Sequence, residues 1–337
     1  MSTKVNVAIA GATGAVGEAL IEILEQRDFP VDQLYLLASE RSAGRRIQFK
    51  GKSHQVTIID EFDFSQAQIG LFSAGSGVSE TFAPQAAEAG CVVIDNTSFF
   101  RYEDDIPLVV PEVNAEQIAN YSNRHIIANP NCSTIQMLVA LKPIHDAVGI
   151  TRINVATYQA VSGAGASGVK ELAGQTANLL NAKPIENEVM PVQIAFNAIP
   201  QIDKFMDNGY TKEEMKMVWE TQKILAAPEI NVNPTCVRIP VFYGHSEALH
   251  IETREPLSAL DAQDLLRQAP GVSVFDDQTY PTPVEHAAGT DDVFVGRIRE
   301  DISHPSGLNL WVVSDNVRKG AALNSVQIAE HLLSYIA

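Results

Sequence analysis

Residues 5–26 read VNVAIAGATGAVGEALIEILEQ. Six apolar-rich positions are followed at once by a glycine-punctuated turn and then by a helical pattern. In that pattern Val16, Leu20, Ile23 and Leu24 fall on one face. Gly11, Gly14 and Gly17 allow a tight strand-to-helix turn and a close backbone approach. The helix start then offers free N–H groups to a pyrophosphate. The spacing is GxxGxxG rather than the commoner GxGxxG, so two readings stand on the motif alone: a nucleotide cradle, or a turn that merely requires glycine. Its place after the first strand of an alternating series favours the cradle.

That series runs outward from the turn. LYLLA (34–38), VTIID (56–60), IGLFSA (69–74), CVVIDN (91–96), LVVPEV (108–113) and HIIANP (125–130) read as further strands. Several are apolar at consecutive positions, as parallel strands covered on both faces require. The expected fold class is α/β, a doubly wound parallel sheet. Beyond residue 150 the strand candidates lengthen: TRINVATYQAVSG (151–163), CVRIPVFYGHSEALHIETREP (236–256), VSVFDD (272–277), VFVGRIRED (293–301) and LNLWVVSDNV (308–317). Helical patterns near 167–181 and 211–226 separate them, which suits an α+β domain with a largely antiparallel sheet. ALNSVQIAEHLLSYI (322–336) reads as an amphipathic helix packed back on the first domain.

At 337 residues the chain exceeds what one hydrophobic core usually serves, so two domains are expected. A net charge of −17 disfavours nucleic acid and anionic membrane surfaces as partners. Any anionic ligand must be met by a local cluster of cations and N–H groups. Three cysteines make no disulfide framework, and the opening MSTKVNVAIAG has no basic leader and no long apolar stretch. A cytoplasmic setting is expected. Without HExxH or CxxC, no metal site is expected.

After the second strand, Ser39, Arg41, Ser42, Arg45 and Arg46 bring hydroxyls and positive charge where an NAD site usually carries an acid. These suit the 2′-phosphate of NADP; Glu40 dissents, and a solvated basic loop is the alternative. In NPNCST (129–134), Cys132 stands on the first turn of a helical pattern, where the helix dipole stabilises a thiolate. It is either a nucleophile or a cysteine at a helix cap without chemistry. Cys91 and Cys236 read as packing residues. Arg238 and His245 lie on one strand-like segment that breaks at Gly244, and His250 reads as an ordinary strand histidine. Glu213 and Lys216, three apart on one helical face, are a surface ion pair unless a ligand says otherwise.

In this order, GATGAVGE, DNTSFFR, NPNCST, QAVSGAG and RIPVFYGHSE closely resemble the aspartate-β-semialdehyde dehydrogenases, in their shorter form, over essentially the whole chain. The resemblance implies a Rossmann-type domain over 1–130 with 315–337. A catalytic and dimerisation domain resembling glyceraldehyde-3-phosphate dehydrogenase would span 131–314, in a homodimer. It also implies NADPH-dependent, reversible reduction of aspartyl phosphate to aspartate semialdehyde and phosphate, on the route to lysine, diaminopimelate, threonine and methionine.

Carried onto this chain, the resemblance makes Cys132 the nucleophile that becomes a thioester and His245 the acid/base. Gln159 would orient substrate and thiol. Arg238 would hold the α-carboxylate, Glu213 the amino group, and Lys216 with Arg101 the phosphate, with Asn131 beside them. Gly11, Thr13, Gly14, Ala15 and Val16 would wrap the pyrophosphate. Ser39, Arg41 and Ser42 would take the 2′-phosphate, and Ser162, Gly163 and Asn316 would lie at the nicotinamide. Two alternatives are an N-acetyl-glutamyl-phosphate reductase, which has no free amino group for Glu213 to meet, and a nucleotide-binding paralogue without catalysis, which would have lost the cysteine or the histidine.

Overall fold

The structure is a computed structural model that describes residues 4–276 and 278–336. The chain divides into two compact units. One holds the described residues up to Pro130 and those from Ala321 on; the other runs from Asn131 to Gly320.

The first unit is built on a seven-stranded sheet. Strands β1 (Val5–Ala10), β2 (Val31–Ala38), β4 (Lys52–Ile58), β5 (Ile69–Phe72), β6 (Val92–Asp95) and β7 (Ile126–Ala128) pair in parallel, and β3 (Arg46–Phe49) adds antiparallel to β4. The order is β3-β4-β2-β1-β5-β6-β7, with the direction of winding reversed beside β1. Such a reversal opens a crevice at the strand carboxyl ends, where open α/β sheets take their ligands. Helices α1 (Ala15–Gln26), α2 (Ser76–Glu88) and α8 (Leu323–Ile336) belong to this unit. Leu20, Ile23 and Leu24 of α1 and Val326, Ala329 and Leu332 of α8 join Val7, Ile9 and Leu36 of the strands in one buried core. The consecutive apolar runs of β5 and β6 are buried at every position, which is why they read as unbroken rather than alternating.

One expected strand is not a strand. In LVVPEV only Leu108 bridges the sheet, to Ala128, and the chain then turns into the one-turn helix α3 (Pro111–Asn114). Pro111 supplies no ladder N–H and sits at the start of the turn. The Asn114 side chain accepts from Val110 N–H at 2.9 Å and donates to Leu108 O at 2.9 Å, taking the backbone groups a neighbouring strand would have used.

The second unit carries a six-stranded mixed sheet in the order β11-β12-β13-β10-β8-β9. The strands are β8 (Ile150–Gln159), β9 (Asn231–Arg238), β10 (His245–Thr253), β11 (Val272–Val274), β12 (Val293–Glu300) and β13 (Gly307–Ser314). β10 runs antiparallel to both β8 and β13, and β12 antiparallel to β13; β8–β9 and β11–β12 are parallel. The long run 236–256 is two strands, because the chain leaves the sheet after Arg238 and re-enters at His245, turning on Gly244 at φ +89°. The run 272–277 keeps strand form only to Val274, and Asp277 lies outside the described residues. Helices α4 (Cys132–Val148), α5 (Gly165–Leu180), α6 (Lys212–Ile224) and α7 (Ala259–Arg267) complete the unit. Among them, α4 packs on β8, β10 and β13, and α6 on β9 and α4.

Candidate active site

Cys132 is the first residue of α4, and the cap that starts this helix is complete. The Asn131 side chain accepts from the N–H of Ser133 and Thr134, at 3.0 and 3.3 Å. The Asn131 N–H is itself taken by the Glu220 carboxylate at 2.6 Å. The sulfur-bearing residue is partly exposed, whereas Cys91 and Cys236 are buried and burial pushes both thiols up, Cys91 to about 12. Gly320 lies against the Cys132 side chain so closely that a Cβ there would stand 2.7 Å from the cysteine Cβ.

Sheet register assembles the neighbouring groups. Gln159 ends β8 opposite Arg238, and Tyr158 pairs with Ser246, so Gln159 falls beside His245. The Arg238 Nη1 donates to Ala160 O at 2.7 Å, and the Ala160 N–H donates to His245 Nδ1 at 3.1 Å. One backbone residue therefore holds both side chains. With Nδ1 accepting, the neutral ring carries its proton on Nε2. His245 is fully buried, and Nε2 has no protein partner among the described residues. Burial, followed by the Arg238 charge, lowers the imidazole to about 3, so the ring is neutral at ordinary pH. Burial also lowers Arg238, while the opposing charges of Glu213 and Cys132 act to keep its proton.

Glu213 is 5% exposed. Its Oε1 accepts from Asn131 Nδ2 at 2.9 Å and Gln159 Nε2 at 3.3 Å, and its Oε2 from Lys216 Nζ at 2.9 Å. Burial alone would raise this carboxyl. The Lys216 charge and hydrogen bond, the Asn131 bond and the Arg238 charge outweigh it and hold the group at about 2. Lys216 also reaches Asp203 at 3.0 Å. Burial would lower Lys216, and the two carboxylates raise it instead. Glu213 and Lys216 are thus not a surface pair: their side chains are only 6% and 13% exposed.

A second cluster lies in the same unit. The Asn316 Nδ2 donates to Ser162 Oγ at 2.9 Å, and its Oδ1 accepts from Gly244 N–H at 2.9 Å. Gly163 follows Ser162; a Cβ there would stand 2.8 Å from Arg238 Nη1 and 3.6 Å from His245 Nε2. In this way the residues 131, 132, 159, 162, 163, 213, 216, 238, 245 and 316 all fall within the second unit.

The remaining candidates lie in the first unit. Gly11 turns at φ +89° and has no room for a Cβ, which would stand 2.9 Å from Ala74 N. Gly17 allows α1 to ride on that turn, since its Cβ would meet Gly11 O at 2.1 Å. Helix α1 starts at Ala15 and Val16 after Gly14 with no side-chain cap, so its first N–H groups are open to an anion. Thr13 Oγ1 bonds Ser42 Oγ at 3.3 Å, tying the turn to the segment after β2, where Ser39 and Arg41 are exposed. These features fit a dinucleotide carrying an extra phosphate. Arg101 is 6% exposed and donates through Nη2 to Asn96 O at 2.8 Å.

Two polar groups of the second unit escaped the sequence reading. Glu220 falls four residues after Lys216 and seven after Glu213, one face of α6, so helical spacing carried a signal for it. Asp203 sits in an irregular segment at φ +67° and carried none.

A family model described as the NAD binding domain of semialdehyde dehydrogenase matches residues 6–121, and one described as its dimerisation domain matches residues 141–319. Aspartate-semialdehyde dehydrogenase 2 of Vibrio cholerae is 67% identical, with 99% of each chain covered. The enzyme of Bacillus subtilis is 53% identical, with 98% of each covered. Among solved structures, aspartate semialdehyde dehydrogenase II of Vibrio cholerae complexed with ASA superposes with a TM-score of 0.98 at 66% identity, covering 99% of both chains. The enzyme of Candida albicans with NADP gives 0.77 at 26% identity, covering 98% of both. With both domain models in place and full-length relatives this similar, the chain belongs to the aspartate-semialdehyde dehydrogenase family.

Proposed function

We propose that this chain interconverts L-aspartyl 4-phosphate and L-aspartate 4-semialdehyde with NADPH through a thioester on Cys132, as a cytoplasmic homodimer serving lysine, diaminopimelate, threonine and methionine synthesis. The observation that carries this reading is the convergence, in one unit, of a partly exposed thiol at a helix N-terminus with a buried imidazole and a buried guanidinium that share Ala160, and a buried carboxylate bonded to Asn131 and Gln159.

The Cys132 thiolate, stabilised by the dipole of α4, attacks the acyl carbon and the phosphate leaves. NADPH, when bound, supplies the hydride that reduces the resulting acyl group. In its acid/base role the neutral His245 ring donates a hydrogen bond from Nε2–H to the oxygen that carries the negative charge of the tetrahedral adduct, and the proton stays on the ring as the adduct collapses to the aldehyde and the Cys132 thiolate. Gln159 orients the thiol and the substrate. Arg238 keeps one N–H on Ala160 O and presents the rest of its fork to the α-carboxylate. Glu213, ionised and already surrounded by donors, receives the substrate ammonium, and Asn131 steadies Glu213. Lys216 and Arg101 bind the phosphate. Gly11, Thr13, Gly14, Ala15 and Val16 would hold the pyrophosphate, Ser39, Arg41 and Ser42 the 2′-phosphate, and Ser162, Gly163 and Asn316 the nicotinamide.

A buried carboxylate set among the donors of Asn131, Gln159 and Lys216 favours an amino-acid substrate over an N-acetylated one, which has no ammonium for it. Purified protein is assayed for NADP reduction with aspartate semialdehyde, with and without phosphate, and separately with N-acetyl-glutamate semialdehyde. Phosphate-dependent turnover of the first alone is expected. Preference for the second overturns the substrate, and no turnover by folded protein overturns the reaction.

A further inference from the structure

Two fully buried polar side chains in this unit have no part in the reaction just described. Glu247 lies on β10 two residues past His245, and so on the same face of the sheet. Gln136 lies on α4 one turn past Cys132, and so on the same side of the helix. Helix α4 packs on β10, and the Gln136 carboxamide is the polar neighbour of the Glu247 carboxyl. None of the four terminal oxygen and nitrogen atoms has a partner of good hydrogen-bond geometry among the described residues, yet the Gln136 carboxamide lies close enough to act on the Glu247 carboxyl as a hydrogen-bond donor, against the effect of burial. Four such atoms, buried and unmatched side by side, are costly unless they satisfy one another.

Their chemistry allows that. A buried carboxylate with no cation beside it takes a proton, and burial raises Glu247 well above the usual carboxylate range. The titratable neighbour Cys236, on β9, is held as a thiol by burial and brings no compensating positive charge. A protonated carboxyl has one O–H donor and one carbonyl acceptor, and a carboxamide has the complement of both. The two close a ring when Glu247 O–H donates to Gln136 Oε1 and Gln136 Nε2–H donates to the Glu247 carbonyl oxygen. We propose that Glu247 and Gln136 form an uncharged acid–amide clasp that ties the strand carrying His245 to the helix carrying Cys132 and fixes the spacing of those two groups. Both are positioning residues and touch no substrate. The assignment rests on the proposed roles of Cys132 and His245.

The test compares the parent with Glu247→Gln, Glu247→Leu, Gln136→Leu and the double leucine variant. An infrared difference spectrum, parent minus Glu247→Gln at neutral pH, is expected to show the carbonyl stretch of a protonated carboxyl. Glu247→Gln is expected to keep kcat and its pH profile near those of the parent, because amide pairs with amide. Each leucine variant is expected to lose up to about a hundredfold in kcat, the scale of a misplaced reacting group, with KM little changed. The double variant is expected to be no slower than either single one. An ionised carboxylate in the spectrum, a Glu247→Gln variant as slow as Glu247→Leu, or losses that multiply in the double variant would each overturn the clasp. If the leucine variants do not fold, the spectrum and the Glu247→Gln rate decide. A parent without turnover would overturn the proposed function instead, and the spectrum would still read the clasp.

Discussion

The candidate nucleotide cradle of the first unit and the candidate catalytic cluster of the second hold polar groups in opposite ways. In the first, the candidate nucleotide cradle is mostly backbone: a left-handed Gly11, an uncapped α1 and exposed side chains at Ser39 and Arg41. In the second, Glu213, Arg238 and His245 are almost wholly buried, and each is held by partners from other elements. A ligand that arrives already charged can be met by exposed groups. A reaction that creates and removes charge needs groups whose ionisation is fixed beforehand by burial and by each other. The difference predicts that single substitutions should act locally in the first unit and collectively in the second.

The largest effect belongs to Cys132→Ala, which is expected to abolish turnover while leaving NADP affinity unchanged in a fluorescence titration. A loss of NADP binding would erase the separation of roles. Next comes Lys216→Met, which leaves two carboxylates without their shared cation. It is expected to cost about 3–5 kcal/mol in chemical denaturation, and a much smaller cost would mean that Glu213 is less confined than its burial indicates. Arg238→Lys keeps the charge but cannot both reach Ala160 O and fork onto a carboxylate. It is expected to lose on the order of a hundredfold in kcat/KM. Arg41→Ala, on the exposed side of the comparison, is expected to weaken NADP about tenfold, less at high salt, with NAD affinity unchanged.

Acid should test the buried cluster of the second unit. Glu213 is held at about 2, below its ordinary 4.5, so the stability it contributes is whole above about pH 4.5 and is lost as pH falls toward 2. His245 is lowered from 6.5 to about 3, so the unfolded chain takes that proton first, and stability falls as pH drops from about 6.5 to 3. Thermal melts from pH 8 to 3 are expected to decline below about 6.5, and His245→Gln is expected to remove the upper part of that decline. An unchanged profile in the variant would place the acid sensitivity elsewhere.

What could be read beforehand follows the same line. The turn at Gly11, Gly14 and Gly17 and the run of β5 and β6 are local patterns, and local sequence reports them. LVVPEV misled because its apolar residues are those of a strand, while Pro111 and Asn114 decide the backbone. The edge strand Arg46–Phe49 went unseen, since a polar, one-sided edge has no apolar run. The ionisation of Glu213 depends on residues 131, 159, 216 and 238, brought together only by the fold. Nothing in KEEMK distinguishes that pair from a solvated one, so its burial was invisible. Arg238 and His245 were named, but their common anchor on Ala160 is a main-chain matter on which side-chain identity is silent.

Asn316 grips both the Ser162 hydroxyl and the Gly244 amide, so the segments that follow β8, precede β10 and follow β13 share a single tether. That makes one proton a natural reporter. Deuterium uptake at Gly244 would register every release of the carboxamide, and its slowing on addition of the oxidised dinucleotide would time the settling of this corner without any chemistry taking place.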